Sequence, residues 1–580
     1  MSSKLPTLLL TVTVLAGLLA ACASPAPAPE AASPTPAASA AASTTAPAAS
    51  PAPVDPTLPP APSPTPPPAP RAFTLALPTA PGSLDPAQAE DEAALLITRH
   101  LYEGLVAFEP GTTRVRPALA EAWQVSADGL SWTFQIRAGV TFSDGTPLTA
   151  EAARQNVERW FTHTPPGRYA FWRLMFGGFA GETDEAGAPL SALAAVTVTT
   201  PSTLALTLSR PDAALLNTLA MPAFALVSPA AWMEPGFGGP GAASAGSGPF
   251  VLEAWRPEGV VTLARNPAYW GAPAQPELLV FKTIADDVQR VTALQIGEVD
   301  GLARLDAAHY GLADQWPTLR VEFDPALEVL YLGFNQARAP WGDVRCRLAV
   351  AYAIAKDRYA RDFFPGDAQA AEVLQPPATW GYVPPLEARP HDVARAQALW
   401  TECLAAQAGA ALETPRLYVP PQARPYLPDP AGLGAALQAD LAAAGISVTV
   451  ESPDWTTVWL PDVQAGRADL FLLGWAGLNG DPDAYLCPLF CGANAAFNSD
   501  RQGQPIPPDE ELAQLLQAAR AQPDPEVRLS LYAQAHARLF ESVPALPLTY
   551  RSSAWAYRAD LVGTVPSPIE NLFFDVRLAP

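Results

Sequence analysis

Apolar and polar positions alternate at Phe73, Leu75 and Leu77, which predicts a strand at the start of the globular part of the chain. Between 91 and 105 the period lengthens. Ala94, Ile97, Leu101 and Leu105 fall on one helical face behind Glu90, Asp91 and Glu92, acidic residues suited to a helix start. Trp123 and Val125, the turn at Asp128-Gly129, and the alternating Trp132, Phe134 and Ile136 predict a hairpin. A second turn at Asp144-Gly145 leads to Thr149, a suitable N-cap for a helix through Trp160. Strand-like runs recur at 195–199, 203–208, 260–264 and 328–334, and a helix is expected around Val344–Ala355. Strands interleaved with helices, without an internal repeat, point to an α/β or mixed α+β architecture of more than one lobe.

The first 70 residues follow none of these patterns. Lys4 is the only charge before an apolar run from Leu8 to Ala21, which has the layout of a secretory signal peptide and is short for a spanning helix. Residues 1–21 are therefore expected to be a leader. The next residue is Cys22, after Leu19-Ala20-Ala21, a sequence that resembles the lipobox of bacterial lipoproteins. That resemblance implies a diacylglycerol thioether on Cys22. The stretch 22–71 is rich in Pro, Ala, Ser and Thr, with Glu30 and Asp55 its only charges before Arg71. It lacks the apolar surface to offset its ordering entropy, and is expected to be a disordered tether.

The 580 residues carry 35 Lys and Arg against 57 Asp and Glu, a net charge of −22. No basic stripe is present, which argues against a nucleic-acid partner. The five His show no metal-ligand spacing, no Walker loop surrounds any Lys, and the small-residue stretch around Ser244 has Ala242 where a nucleophile elbow needs Gly. Neither catalysis, nor a cofactor, nor a bound metal is expected. Beyond Cys22 stand Cys346, Cys403, Cys487 and Cys491, which allow three disulfide connectivities or free thiols.

Nine segments then occur in an order that carries a family resemblance: SLDP (83–86), HLYEGLV (100–106), PALAEAW (117–123), SADGLSWTFQIRAGVTFSDGTPLTAE (126–151), GSGPF (246–250), NPAYWG (266–271), ALQIGEVDG (293–301), YLGFN (331–335) and GWAGLNGDPDAYL (474–486). They resemble the extracellular solute-binding proteins of family 5, which serve ABC importers of dipeptides, oligopeptides and nickel. The dipeptide type is nearest, through 474–483 and the P-x-L-P-L run at 544–548. The resemblance implies a two-lobed periplasmic-binding-protein-like fold with a cleft, a two-strand hinge and an extra subdomain in lobe I. Lobe I is expected over 72–327 and 549–580, lobe II over 328–548, with Pro544–Leu548 as the returning crossover. It further implies a monomer, anchored outside the cytoplasmic membrane, that meets a peptide or small-molecule ligand and the permease subunits of an importer. A sensor using the same cleft, or import of an oligosaccharide or metal chelate, is the alternative.

In peptide-binding relatives the strand ending in Gly-Trp lends its backbone to the ligand. By position this implicates Trp475, Ala476, Gly477, Leu478, Asn479 and Asp481, with Ala87 and Gln88 approaching from lobe I and Trp172 from the aromatic stretch 167–178. Trp475 and Trp172 are also candidates for plain core. Dipeptide-binding relatives carry Asp where this chain has Leu478, and that Asp pairs with the peptide ammonium. The exchange argues against free-amine dipeptides unless Asp481 or Asp483 substitutes, and Asp-Pro-Asp also suits a turn and helix start.

Overall fold

The computed structural model describes residues 71–164, 167–384, 388–407, 412–500, 506–569 and 571–579; the leader over 1–21, Cys22 and the tether up to residue 70 lie outside them. Among the described residues no helix is long and apolar enough to cross a membrane.

Two large sheets organise the chain. The first has seven strands in the order Leu319–Phe323, Ala554–Arg558, Gly301–Leu302, Ala72–Leu77, Leu278–Thr283, Val260–Arg265 and Phe250–Arg256. Its central strand is the alternating run predicted at Phe73. Phe73, Leu75 and Leu77 enter one apolar cluster, while Ala76 enters another on the opposite face. Beside it a four-stranded antiparallel sheet joins Ala120–Val125, Ser131–Ile136, Thr203–Leu208 and Leu193–Thr200, covered by the helix Ala150–Phe161. The Thr149 hydroxyl accepts from the Ala152 N–H and caps that helix, as its sequence position predicted. This second sheet is the extra layer of lobe I.

Lobe II is built on six strands in the order Gln369–Ala370, Ala545–Arg551, Glu328–Phe334, Leu470–Ala476, Arg416–Tyr418 and Thr449–Glu451. Leu330, Leu332 and Phe334 face one apolar cluster, and Val329 and Tyr331 the other, so the central strand is buried on both sides. Cys346 pairs with Cys403 to join the helices Val344–Ala353 and Val393–Ala406, and Cys487 pairs with Cys491 at the end of the helix Pro482–Phe490.

The chain crosses between the two sheets twice, through 324–327 and through Ser552-Ser553. The return lies later than Pro544–Leu548, because the strand Ala545–Arg551 stays paired with Glu328–Phe334 along its whole length. Pro547 has no N–H for that ladder, and the register shifts opposite it, at Leu330/Tyr331. At the first crossing the Asp324 carboxylate accepts from Trp555 Nε1 (2.5 Å), Asn571 Nδ2 (2.8 Å) and the Ser567 N–H (3.3 Å), which ties the crossing to the returning segment.

Candidate functional site

The strand Leu470–Ala476 lies between Glu328–Phe334 and the short strand Arg416–Tyr418. It pairs with the former through all seven residues, and with the latter only at Leu470 and Phe471. Beyond Phe471 no described strand pairs with its second edge, although the Tyr426 hydroxyl bonds the Gly474 backbone there, so another extended chain could add along the rest of it. Gly474 permits a close approach on this stretch. A Cβ at that position would lie 2.0 Å from the Tyr426 ring, which rests on the strand in its place.

The end of the strand turns sharply. Gly480 N–H donates to Gly477 O at 2.8 Å, and Gly480 has φ of +65°, which favours glycine. A Cβ on Gly477 would fall 2.0 Å from the Tyr485 ring, whose hydroxyl donates to Leu327 O at 2.8 Å in the first crossing. The turn is therefore held directly against the hinge.

Its side chains have distinct fates. Trp475 is half-buried against the lobe II core and donates Nε1–H to Ala484 O at 2.8 Å. Leu478 packs on the apolar cluster of lobe I that also contains Ala87 and Trp172. Asn479 is buried and joins the lobes. Its carbonyl accepts from Asn217 Nδ2 at 3.2 Å, and its own Nδ2 donates to Thr218 Oγ1 at 3.2 Å. Asn217 Nδ2 also donates to Thr113 O (3.1 Å), while Thr113 Oγ1 accepts from the Trp380 N–H at 2.6 Å. Asp481 caps the helix Pro482–Phe490 by accepting from the Asp483 N–H (2.9 Å), and both its oxygens are taken by Arg528 at 2.7 Å. Asp483 is held by Arg520 at 2.8 Å. Neither carboxylate is open to a ligand.

On the lobe I side, Ala87 is buried in the turn Pro86–Gln88, and Gln88 Nε2 donates to Asp85 at 2.9 Å. Asp85 forms a buried ion pair with Arg159. Trp172 is a core residue: it is 2% exposed, its ring stacks on Phe176 at 4.0 Å, and its Nε1–H donates to Gly178 O at 2.9 Å. The i, i+4 spacing of Trp172 and Phe176 places both against Phe224, which takes the ring out of reach of a ligand.

Residues that the sequence reading missed complete the site. Glu328 lies opposite Ala476 on one side and Arg551 on the other, so the three form one row across adjacent strands at the hinge end of the sheet. Cross-strand partners share a face, and this is the face on which Tyr426 covers Gly474. Among the described residues no hydrogen bond or ion pair reaches the Glu328 carboxylate. Burial pushes its pKa up, against the pull of Arg304 and Arg551. Arg304 is itself engaged by Glu92 at 2.6 and 2.7 Å and by the Ser553 hydroxyl. Near Tyr426, Arg424 stacks on the Trp455 ring at 3.8 Å and its Nε has no acceptor among the described residues. The available signals were a lone acidic residue heading an otherwise apolar strand (EVLYLGF) and an Arg within the proline-rich PPQARPYLP loop.

The arrangement fits an extended solute with ends of opposite charge, lying along the open strand edge. Among the described residues no group of three or more His, Cys, Asp or Glu is placed to hold a metal ion.

The sequence profile described as bacterial extracellular solute-binding proteins, family 5 Middle, matches residues 114–497. Di/tripeptide-binding protein 4 of Pseudomonas aeruginosa (strain UCBPP-PA14) is 34% identical over 491 residues, covering 81% of this chain and 88% of the relative. The dipeptide-binding protein of Escherichia coli (strain K12) is 29% identical over 483 residues, covering 82% and 88%. Among solved structures, the ABC transporter-associated periplasmic binding protein DppA from Helicobacter pylori, in complex with peptide STSA, superposes with a TM-score of 0.63. It is 25% identical, covering 88% of this chain and 98% of that one.

Proposed function

The chain belongs to the bacterial extracellular solute-binding proteins of family 5, and on that premise we propose that it captures a peptide-like solute between its lobes and delivers it to an ABC importer. The observation that carries this reading is the edge of Leu470–Ala476 beyond Phe471, with which no described strand pairs, near Arg424, whose Nε has no acceptor among the described residues, and Glu328, whose carboxylate makes no hydrogen bond or ion pair among them. Main-chain bonding along such an edge gives affinity with little side-chain selectivity. Arg424, stacked on Trp455, receives the anionic end of the solute. Trp475, Ala476, Gly477 and Leu478 border the bound chain, with Ala87 and Gln88 behind them in lobe I. The protein acts by closure on its ligand rather than by catalysis, since a solute touching both lobes favours the closed arrangement.

Capture requires a place outside the cytoplasmic membrane. The leader over 1–21 and a lipidated Cys22 supply export and anchorage in this reading, with the permease subunits as the partner. Cys22→Ser is expected to move the protein from the membrane fraction to the soluble one on cell fractionation. Retention of the variant in membranes would refute the anchor.

Thermal unfolding in the presence of dipeptides, tripeptides, small sugars and nickel chelates tests the reading. A ligand at 100 times its dissociation constant adds about 2.7 kcal/mol of stability. Peptides are expected to raise the midpoint. A rise with sugars or chelates alone would replace the peptide with another solute class.

A further inference from the structure

We infer that Glu328 is the specificity-determining carboxylate that receives a cationic group of the ligand, so that this chain selects peptides with a free amino end. The inference rests on the peptide-capture reading above and names the substrate class of that same site.

The acidic groups around the hinge end of the six-stranded sheet can be taken in turn. Asp481 gives both oxygens to Arg528. Asp483 is engaged by Arg520, and Glu92 by Arg304. Asp324 accepts from Trp555, Asn571 and the Ser567 N–H. Glu328 is different, because its carboxylate has no hydrogen bond or ion pair among the described residues. It is only half-buried, so water still reaches it. Its partial burial still carries a desolvation cost, which a directly bonded ammonium would offset.

Its position fits that purpose. Glu328 is opposite Ala476, the last residue of the strand whose outer edge is open, and the two side chains share a face with the Tyr426 ring. Directly opposed residues of an antiparallel pair have Cα atoms about 4.5–5.5 Å apart. The glutamate therefore stands one strand away from the point where an added chain would end. Leu478, in the turn just beyond, offers no charge and packs on lobe I. Arg551 occupies the far side of the row, and among the described residues no ion pair joins it to Glu328, which it attracts only at longer range. Arg304 is held by Glu92 and Ser553. Neither arginine quenches the acid by direct contact.

The measurement is calorimetric titration of the purified protein with a pool of apolar dipeptides bearing free amino ends, and with the same pool N-acetylated. The unsubstituted protein is expected to prefer the free-amine pool. Glu328→Gln should weaken binding of that pool by about 10- to 100-fold, the size expected when a charge-assisted contact is lost, and leave the acetylated pool nearly unchanged. Glu328→Asp, which keeps the charge, should recover part of the loss. Unfolding midpoints without ligand show that each variant is folded. Equal weakening of both pools, or no change with the free-amine pool, would overturn the role given to Glu328 while leaving peptide capture intact. Failure of both pools to bind the unsubstituted protein would overturn the capture reading, and this inference with it.

Discussion

Asp481 shows how one residue can carry two readings that only neighbours separate. Its motif placed it both at the ligand and at a helix start; in the fold it caps a helix and is fully enclosed with Arg528, whose side chain is 5% exposed. Removing one charge of such a pair leaves the other buried and uncompensated, so Asp481→Asn is expected to cost about 3–5 kcal/mol. Urea unfolding measures that loss, and the folded variant should bind peptides almost as well as the original. A large loss of affinity at unchanged stability would instead place Asp481 at the ligand. The Leu478 exchange was visible in the sequence because it interrupts a recognisable motif. Glu328 was not, since its meaning comes from Ala476 and Arg551, residues brought beside it only by the sheet.

At the scale of elements, local signals were read well and long-range ones poorly. Alternation located Ala72–Leu77 and the hairpin at 120–136, and the helix capped by Thr149 begins as expected, because each of these depends on residues close in sequence. The helix predicted to Leu105 ends at Leu101; Tyr102 turns extended, and Leu105 is buried beyond the helix end. Strand order and disulfide pairing depend on contacts that no periodicity records. The open edge of Leu470–Ala476 is such a feature, and Gly474 tests it. Gly474→Ala would drive a methyl into the Tyr426 ring, costing about 1–3 kcal/mol of stability. It should also abolish the rise in melting midpoint that peptides give. If the variant responds to peptides as fully as the original, Tyr426 and this edge do not form the site.

Across the whole molecule, the lobes meet where Asp212 of lobe I approaches Asp483 and Arg520 of lobe II, and the Ala213 N–H donates to Arg520 O at 2.8 Å. Burial first, and then the charge of Asp483, push the Asp212 carboxyl up from 3.8 to about 6. The folded chain thus holds this proton more tightly than the unfolded chain. The stabilising contribution is complete below 3.8 and is lost as the pH rises through about 6. Asp212→Asn stays neutral, so it should leave the unfolding midpoint nearly unchanged at about pH 4 and raise it at about pH 7.5. Equal midpoints for the two proteins at both pH values would show that this contact carries no net charge cost. The two-lobed plan itself was legible from the ordered family segments, whereas the return crossing at Ser552-Ser553 was not, because Pro547 is accommodated by a bulge instead of ending the strand. In the function proposed, a peptide lies along the edge of Leu470–Ala476 between the lobes. Amide hydrogen exchange with and without a saturating free-amine dipeptide tests it most directly. A peptide on that edge should slow exchange at 473–478, together with the lobe I segments that face them; a bound peptide that leaves those amides unchanged and protects another region would show that it lies elsewhere.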